Sequence, residues 1–296
     1  MHEKTALFVT DPLVSACIIS YAQEGFIGKT LESILHQKTD FKYEIVIADD
    51  HSPDSTAEMI EKSVSEYDGN ACIKILKKEP NLGMHRNWER AILSCKGKYI
   101  ALCEGDDVWN DPQKLEKQID LLENDSSAVA CFSNANVLKE DGIISEYPYV
   151  DKGFTNLIAT DFFSNNFNPI PTCTLVFRRS AFTGFPPQYH KSPFADWILH
   201  SLLIQQGNYI YLPETTSTYR QHDGGVWSGI KEEKQLLNKY KALQLISGMI
   251  GEGYRPQITA AIGKQLDELL YLYRENSAYL KFFRTWLRLK QLGKSG

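Results

Sequence analysis

The chain has 296 residues, enough for one large domain or two modest ones with a substantial core. Hydrophobic residues make up 43% and charged residues 23%, the balance of an ordinary soluble globular protein, which excludes a disordered or fibrous chain. The net charge of −5 argues against a general nucleic-acid binder, whose affinity comes from neutralising phosphates.

No stretch approaches the roughly 18–20 uncharged apolar residues of a membrane span. Glu3, Asp11 and Glu24 interrupt the first thirty residues, so these do not read as a signal peptide. The six cysteines (Cys17, Cys72, Cys95, Cys103, Cys131 and Cys173) contain no C-x-x-C pair. That pattern predicts reduced, mostly buried thiols and a cytoplasmic protein, with neither a disulfide framework nor a zinc site.

In chain order, apolar β-branched runs predict strands at Val14–Ser20, Tyr43–Asp49, Ala71–Leu76, Tyr99–Cys103 and Ala128–Asn134. Their starts recur about every 27–30 residues, the length of a strand–helix–strand unit. Helix-period segments fall between them at Ile27–Leu35, Thr56–Tyr67, Met84–Ser94 and Gln113–Glu123, the last with Pro112 placed as a first-turn proline and Asn110 or Asp111 as its cap. Nearly continuous apolar strands imply a sheet covered on both faces, hence an α/β domain on a largely parallel sheet. Residues 137–170 read as long loops around a short helix near Thr160–Ser164, followed by a strand at Cys173–Arg178. A helix at Asp196–Gln206 stops at Gly207, and two short strands follow at Tyr209–Leu212 and Ser217–Gln221. From Ile230 the chain is helical, in three segments broken at Gly251–Pro256 and Asn276. The tail 281–294 interleaves Lys281, Arg284, Arg288, Lys290 and Lys294 with aromatic and aliphatic residues. Such a stripe suits either packing on its own domain, the favoured reading, or peripheral contact with an anionic membrane.

Ligands of open α/β sheets bind beyond the carboxyl ends of the strands. Here those ends read Ser20-Tyr21-Ala22-Gln23-Glu24, Asp49-Asp50-His51-Ser52 and Glu104-Gly105-Asp106-Asp107. Carboxylates placed together repel, and a divalent cation with hard oxygen ligands, Mg²⁺ or Mn²⁺, relieves that repulsion. Helix capping competes as an explanation for Asp50 and Asp54, and a turn before Pro112 for Asp106 and Asp107. No glycine-rich phosphate loop follows the first strand, which argues against nicotinamide cofactors and P-loop chemistry.

Residues 12–136 resemble the nucleotide-binding half of glycosyltransferase family 2, inverting enzymes of the GT-A fold. The resemblance rests on PLVSACIISYAQE (12–24), IVIADDHSPDST (45–56), NLGMHRN (81–87) and KGKYIALCEGDDVW (96–109), in the family's order. In the second half it rests on ADW (195–197) and YRQHDGGVWS (219–228). It implies a Rossmann-like, largely parallel central sheet flanked by helices over residues 1–229, with an acceptor-side half at 137–229 and a helical extension at 230–296. Tyr21, Glu24, Asp50, Arg86, Glu104 and Asp106 would bind the nucleotide-sugar. Asp106 would hold Mn²⁺ or Mg²⁺, His222 would contact the metal or the diphosphate, and Asp107 would either ligate the ion or support Asp106. Glu104 departs from the family's usual first Asp by one methylene. Asp196 would be the catalytic base, although the same residue also suits a helix N-cap; Ala195 stands where many relatives carry a second acid. Trp109, Trp197 and Trp227 suit sugar stacking or, more commonly, a core.

The reading is therefore a metal-dependent glycosyltransferase of the hexosyltransferase class, using a nucleotide-sugar donor, UDP-linked by expectation. The acceptor would be a glycan or lipid-linked hydroxyl, in cell-envelope polysaccharide synthesis. Two other classes stay open: a sugar-phosphate nucleotidyltransferase, disfavoured by Ser20–Glu24 in place of a glycine-rich loop, and a non-catalytic sugar- or partner-binding module, which would need no acid cluster.

Overall fold

A computed structural model describes residues 12–69, 71–147, 155–225 and 229–292. Trp227 and Lys294 lie outside them. The first half runs β1 (Val14–Ser20), α1 (Ile27–Leu35), β2 (Tyr43–Asp49), α2 (Thr56–Glu66), β3 (Cys72–Ile75), α3 (Met84–Ser94), β4 (Tyr99–Glu104), β5 (Val108–Trp109), α4 (Lys114–Asn124) and β6 (Ala128–Lys139). The rest runs β7 (Ile144–Glu146), β8 (Asn156–Leu157), α5 (Ala159–Ser164), β9 (Val176–Arg178), α6 (Ala195–Leu203), β10 (Asn208–Gln221), α7 (Glu232–Ser247), α8 (Arg255–Glu275) and α9 (Tyr279–Leu292).

The main sheet path is β3-β2-β1-β4-β9-β6-β10-β5. β1 pairs in parallel with both β2 and β4, and β2 with β3. β9 then pairs antiparallel with β4 and β6, and β5 antiparallel with β10. The sheet is therefore mixed rather than largely parallel throughout: its first four strands are parallel, and β9 and β5 enter its second half antiparallel. Short βα connections enforce parallel pairing in the first half, whereas β9 joins β4 and β6 from a distant stretch of chain.

The α1 segment shows why these elements form. Its buried residues Ile27, Thr30, Leu31, Ile34 and Leu35 follow the i, i+3, i+4, i+7, i+8 pattern of one helix face. Burying each of the larger ones contributes roughly 1.5–3 kcal/mol. β1 and β2 are almost wholly buried. Glu44 inside β2 is tolerated because its carboxylate accepts the Ser15 hydroxyl at 2.5 Å and the Lys96 N–H at 2.6 Å. All six cysteines are free, five of them buried.

Several boundaries differ from expectation. Pro112 precedes α4 rather than entering it: Gln113 occupies the N-cap position, and Asp111 Oδ1 closes the turn by accepting the Gln113 N–H at 2.8 Å. The two strands expected at 209–221 are one continuous strand, β10. Pro213 interrupts the pattern, but it lies in an exposed stretch with Glu214 and Thr215, where a missing N–H has no buried partner to disappoint. β6 extends to Lys139 and turns back through β7, where loops were expected.

The chain forms two compact units, each drawn from separate stretches of sequence. One comprises Met1–Asn156, Ile170–Gly184 and Tyr209–Gln221; the other comprises Leu157–Pro169, Phe185–Asn208 and His222–Gly296. The first holds the sheet with α1–α4. In the second, α8 packs on α5, α7 and α9, and α6 packs on α7, so the apolar faces of the C-terminal helices bury segments from the middle of the chain.

Candidate functional site

Strand order reverses at β1, with β2 on one side and β4 on the other, which makes their carboxyl ends the switch point of the sheet. The ends are level: Ile19 pairs with Glu104 and Ser20 with Asp49. The turn Glu104–Asp107 is fixed from three sides. Gly105 N–H donates to the Ile19 carbonyl at 2.9 Å, the Thr30 hydroxyl to the Gly105 carbonyl at 2.9 Å, and Asp107 N–H to the Glu104 carbonyl at 3.1 Å. A Cβ at Gly105 would lie 2.4 Å from Gln23 Oε1 and 3.0 Å from Ser20 Cβ and Ile27 Cδ1, so a side chain there would force these neighbours to shift.

Glu104 and Asp106 flank that glycine, both half-buried. Asp107 is only 2% exposed. Its Oδ1 accepts the backbone N–H of Arg220 in β10 at 2.9 Å, while Arg220 Nε donates to the Asp106 carbonyl at 2.9 Å. The Arg220 guanidinium lies over the Phe26 ring, 4.8 Å from its centroid. Burial, and then the neighbouring Asp106 charge, push the Asp107 carboxyl well above the usual carboxylate range. Asp107 thus sits behind Asp106, bonded to β10.

At the end of β1, Tyr21 is 51% exposed. The loop that presents it carries Ala22 at φ +54°, and His51 after β2 sits at φ +60°, both costly for non-glycine residues. Side chains from the β2–α2 connection hold it there. Ser52 Oγ accepts the Ala22 N–H at 3.0 Å and donates to Asp49 Oδ1 at 2.5 Å; Thr56 Oγ1 accepts the Gln23 N–H at 2.8 Å. Glu24 and Asp54 complete a reciprocal clasp: Glu24 Oε2 accepts the Ser55 N–H at 2.8 Å, and Asp54 Oδ2 accepts the Glu24 N–H at 3.1 Å. Asp54 also accepts the Thr56 N–H and hydroxyl, a turn just ahead of α2, whose N-cap position is Ser55 rather than Asp54.

Asp50 is buried and holds the loop before α3. Its two carboxylate oxygens accept the Leu82 and Gly83 N–H groups, each at 2.8 Å, and the Asn81 amide donates to its carbonyl at 2.9 Å. Gly83 sits at φ +81°, and Arg86 is exposed on the first turn of α3.

In the second unit, Asp196 is the second residue of α6; Phe194 occupies the N-cap position, so the capping reading of Asp196 does not hold. Its Oδ2 accepts the Asn168 amide at 2.8 Å. His222 follows the end of β10, and its Nδ1 lies 3.1 Å from where a Cβ on Gly224 would sit. Trp109 and Trp197 are core residues, the former donating its indole N–H to the Cys173 carbonyl at 2.9 Å.

Nothing in the sequence assigned a role to Arg220, Thr30, Gln23 or Asn168. Arg220 lay inside YRQHDGGVWS (219–228), directly before Gln-His, and Gln23 inside PLVSACIISYAQE (12–24); Thr30 and Asn168 carry no motif, and only folding brings Thr30 to the Gly105 carbonyl and Asn168 to Asp196.

Residues 15–183 match the glycosyl transferase family 2 profile. The chain belongs to glycosyl transferase family 2. An uncharacterized protein of Mycobacterium bovis is 31% identical over 291 residues, covering 95% of this chain and 75% of its own length. The Escherichia coli UDP-Glc:alpha-D-GlcNAc-diphosphoundecaprenol beta-1,3-glucosyltransferase WfgD is 28% identical over 191 residues, 64% of this chain and 69% of that protein. Among solved structures, S. aureus TarS in complex with UDP-GlcNAc aligns with a TM-score of 0.60 at 15% identity, covering 96% of this chain and 92% of that one. The Pyrobaculum calidifontis mannosyltransferase PcManGT, in complex with GDP-Man and Mn²⁺, also aligns with a TM-score of 0.60, at 14% identity and with 96% and 85% coverage. These likenesses establish the GT-A fold for this family 2 glycosyltransferase.

Among the described residues, no group of three or more His, Cys, Asp or Glu side chains is placed to hold a metal ion. A site of one or two protein ligands completed by donor phosphate and water would not form such a group, and Mg²⁺-type ions are commonly held in that way. Asp106 fits this role: it is a half-buried carboxylate on a braced turn at the switch point, whereas Asp107 is buried against the Arg220 N–H.

Proposed function

We propose that this chain is an inverting glycosyltransferase that moves a sugar from a nucleotide-diphosphate sugar, UDP-linked, to a hydroxyl of a glycan or lipid-linked acceptor. The observation that carries the donor half of this reading is the braced turn Glu104–Asp107 beside the end of β1, where Ile19 pairs with Glu104 and the exposed Tyr21 follows two residues later. An exposed aromatic ring offers a stacking face to a nucleobase. Asp106 and Glu104 face the region where ribose and diphosphate follow, and Arg86, on the positive end of α3, supplies charge for phosphate. Asp50 acts in this reading by shaping the α3 loop as well as by its position beside the base. A divalent ion held at Asp106, with Asp107 behind it and His222 as a further ligand, would neutralise charge developing on the departing nucleoside diphosphate.

In the transfer itself, the acceptor oxygen attacks the anomeric carbon from the face opposite the diphosphate. The bond from that carbon to the diphosphate oxygen breaks, and the hydroxyl proton passes to the Asp196 carboxylate. Asn168 orients Asp196 through Oδ2. The relative WfgD, named for a diphosphoundecaprenol acceptor, supports a lipid-linked acceptor. The setting in this reading is cell-envelope polysaccharide synthesis at the cytoplasmic face. No helix among the described residues is long and apolar enough to cross a membrane.

Calorimetric titration with UDP, GDP and dTDP, each with and without Mn²⁺, tests the donor half. Metal-dependent binding of UDP that disappears in Asp106→Ala is the expected result. A well-folded sample that binds none of the three would overturn it in favour of a non-catalytic binding module.

A further inference from the structure

The helix α9 has two apolar sides, and its own unit covers one of them. Thr285 is buried, and Phe282, Leu289 and Leu292 are partly buried; their spacing of three and four places them on the face packed against α8. Tyr279, Leu280, Phe283, Trp286 and Leu287 fall on the opposite arc, with exposures from 39% at Trp286 to 79% at Leu280. Five large apolar side chains contiguous on one exposed helix face are a contact surface rather than scattered surface hydrophobics.

The charge around this face identifies its partner. Residues 276–296 contain five basic and no acidic side chains, in a chain whose net charge is −5. Arg284 is exposed beside the apolar arc, and Lys290 lies within it, its ammonium 5.7 Å from the Trp286 ring centroid. Lys281 and Arg288 lie toward the packed side, against Glu233 and the Tyr240 ring. An aromatic and aliphatic face mixed with lysine and arginine matches the boundary between acyl chains and anionic headgroups. A second copy of the same helix would offer it no acidic counterpart.

We infer that the outward face of α9 docks this protein onto an anionic lipid surface, with Tyr279, Leu280, Phe283, Trp286 and Leu287 entering the headgroup boundary. The inference stands apart from the transfer reaction: vesicle binding and nucleotide binding are separate measurements, and either can fail alone.

Flotation of the full chain with vesicles of pure phosphatidylglycerol and of pure phosphatidylcholine tests it. The chain should float with the anionic vesicles at least tenfold better, the order expected when a few basic side chains meet the surface, and added salt should reduce this. Trp286 emission should shift to the blue on binding, and Trp286→Phe should abolish that shift. Phe283→Ser with Leu287→Ser, and separately Arg284→Glu, should each lower vesicle binding severalfold or more while UDP binding stays unchanged. Failure to float with phosphatidylglycerol overturns the inference, as does undiminished flotation of the Phe283/Leu287 variant. A dimer in sedimentation that this variant splits, without vesicle binding, would assign the face to a second copy.

Discussion

Arg220 in β10 and Asp107 after β4 are joined through the backbone N–H of one and the carboxylate of the other at 2.9 Å, and the Arg220 side chain bonds back to the Asp106 carbonyl. The turn that bears the proposed donor carboxylates is thereby tied to a strand more than a hundred residues further along. Arg220→Met keeps the backbone bond but loses the guanidinium contact, at about 1–2 kcal/mol of stability. Nucleotide affinity in the presence of Mn²⁺ should fall roughly tenfold, since a loosened turn must be ordered on binding. Calorimetry on the variant checks this, and unchanged affinity would show that the turn is held without the guanidinium.

Gly105→Ala places a methyl group within 2.4 Å of Gln23 Oε1 and 3.0 Å of Ser20 and Ile27 carbons. The flexible amide of Gln23 can move, but Ser20 and Ile27 belong to β1 and α1. The expected cost is about 1–3 kcal/mol, read as a lowered urea midpoint, together with at least tenfold weaker nucleotide binding. A variant of native stability and native affinity would show that the turn tolerates displacement.

Asp50→Ala leaves the Leu82 and Gly83 N–H groups without their acceptors, which should destabilise the protein by about 2–4 kcal/mol. Asp50→Asn keeps one acceptor and turns an amide N–H₂ toward the other donor, so its loss should be smaller. If both variants unfold like the parent in urea but bind nucleotide poorly, Asp50 acts by direct contact with the donor.

Asp196→Asn should lower kcat by about 10²–10⁴ and leave donor binding intact, as removal of a proton acceptor predicts. Asn168→Ala should reduce kcat by a smaller factor and shift the pH profile of turnover, because the Asn168 amide donates to the Asp196 carboxylate. Near-native turnover of Asp196→Asn would remove Asp196 from the role of base.

His200, one turn after Asp196 on α6, is fully buried, and desolvation pulls its pKa down to about 3. The unfolded chain takes up a proton near pH 6.5, and the native state resists it down to about pH 3. Between these values the unfolded state binds more protons, so stability falls on acidification, by at most about 1.4 kcal/mol per pH unit from this group. His200→Gln should flatten the loss of urea stability between pH 6.5 and pH 4.5. An unchanged slope would mean that other groups carry the acid limb.

The elements that could be read in advance were those with a local signal. β1, β2, α1 and α3 have the predicted bounds, because each is an apolar run or an amphipathic period closed by polar residues. β5 escaped because two residues carry no period, and β10 was expected as two strands because residues 213–216 between them, Pro213 among them, lack an apolar run; only the fold shows Pro213 exposed within one strand. At the site, the strand-end acids announced themselves by clustering. What they bond to did not: Glu24 meets the Ser55 N–H, Asp50 meets Leu82 and Gly83, and Asp107 meets Arg220, at separations of 31 or more residues. A carboxylate that braces a loop and one that binds a ligand look alike in a sequence, because the difference lies in which donor faces them.

The late arrival of β10 has a consequence in time. β1 to β4 close within residues 14–104, but the pairing of Trp109 with Ser217 and the Arg220 bonds to Asp106 and Asp107 need a strand ending at Gln221. At translation rates of about 5–20 residues per second, the remaining hundred-odd residues take roughly 5–20 s to appear. Through that interval the Glu104–Asp107 turn exists without the strand that braces it, so competence to grip a donor is conferred late, after most of the polypeptide exists.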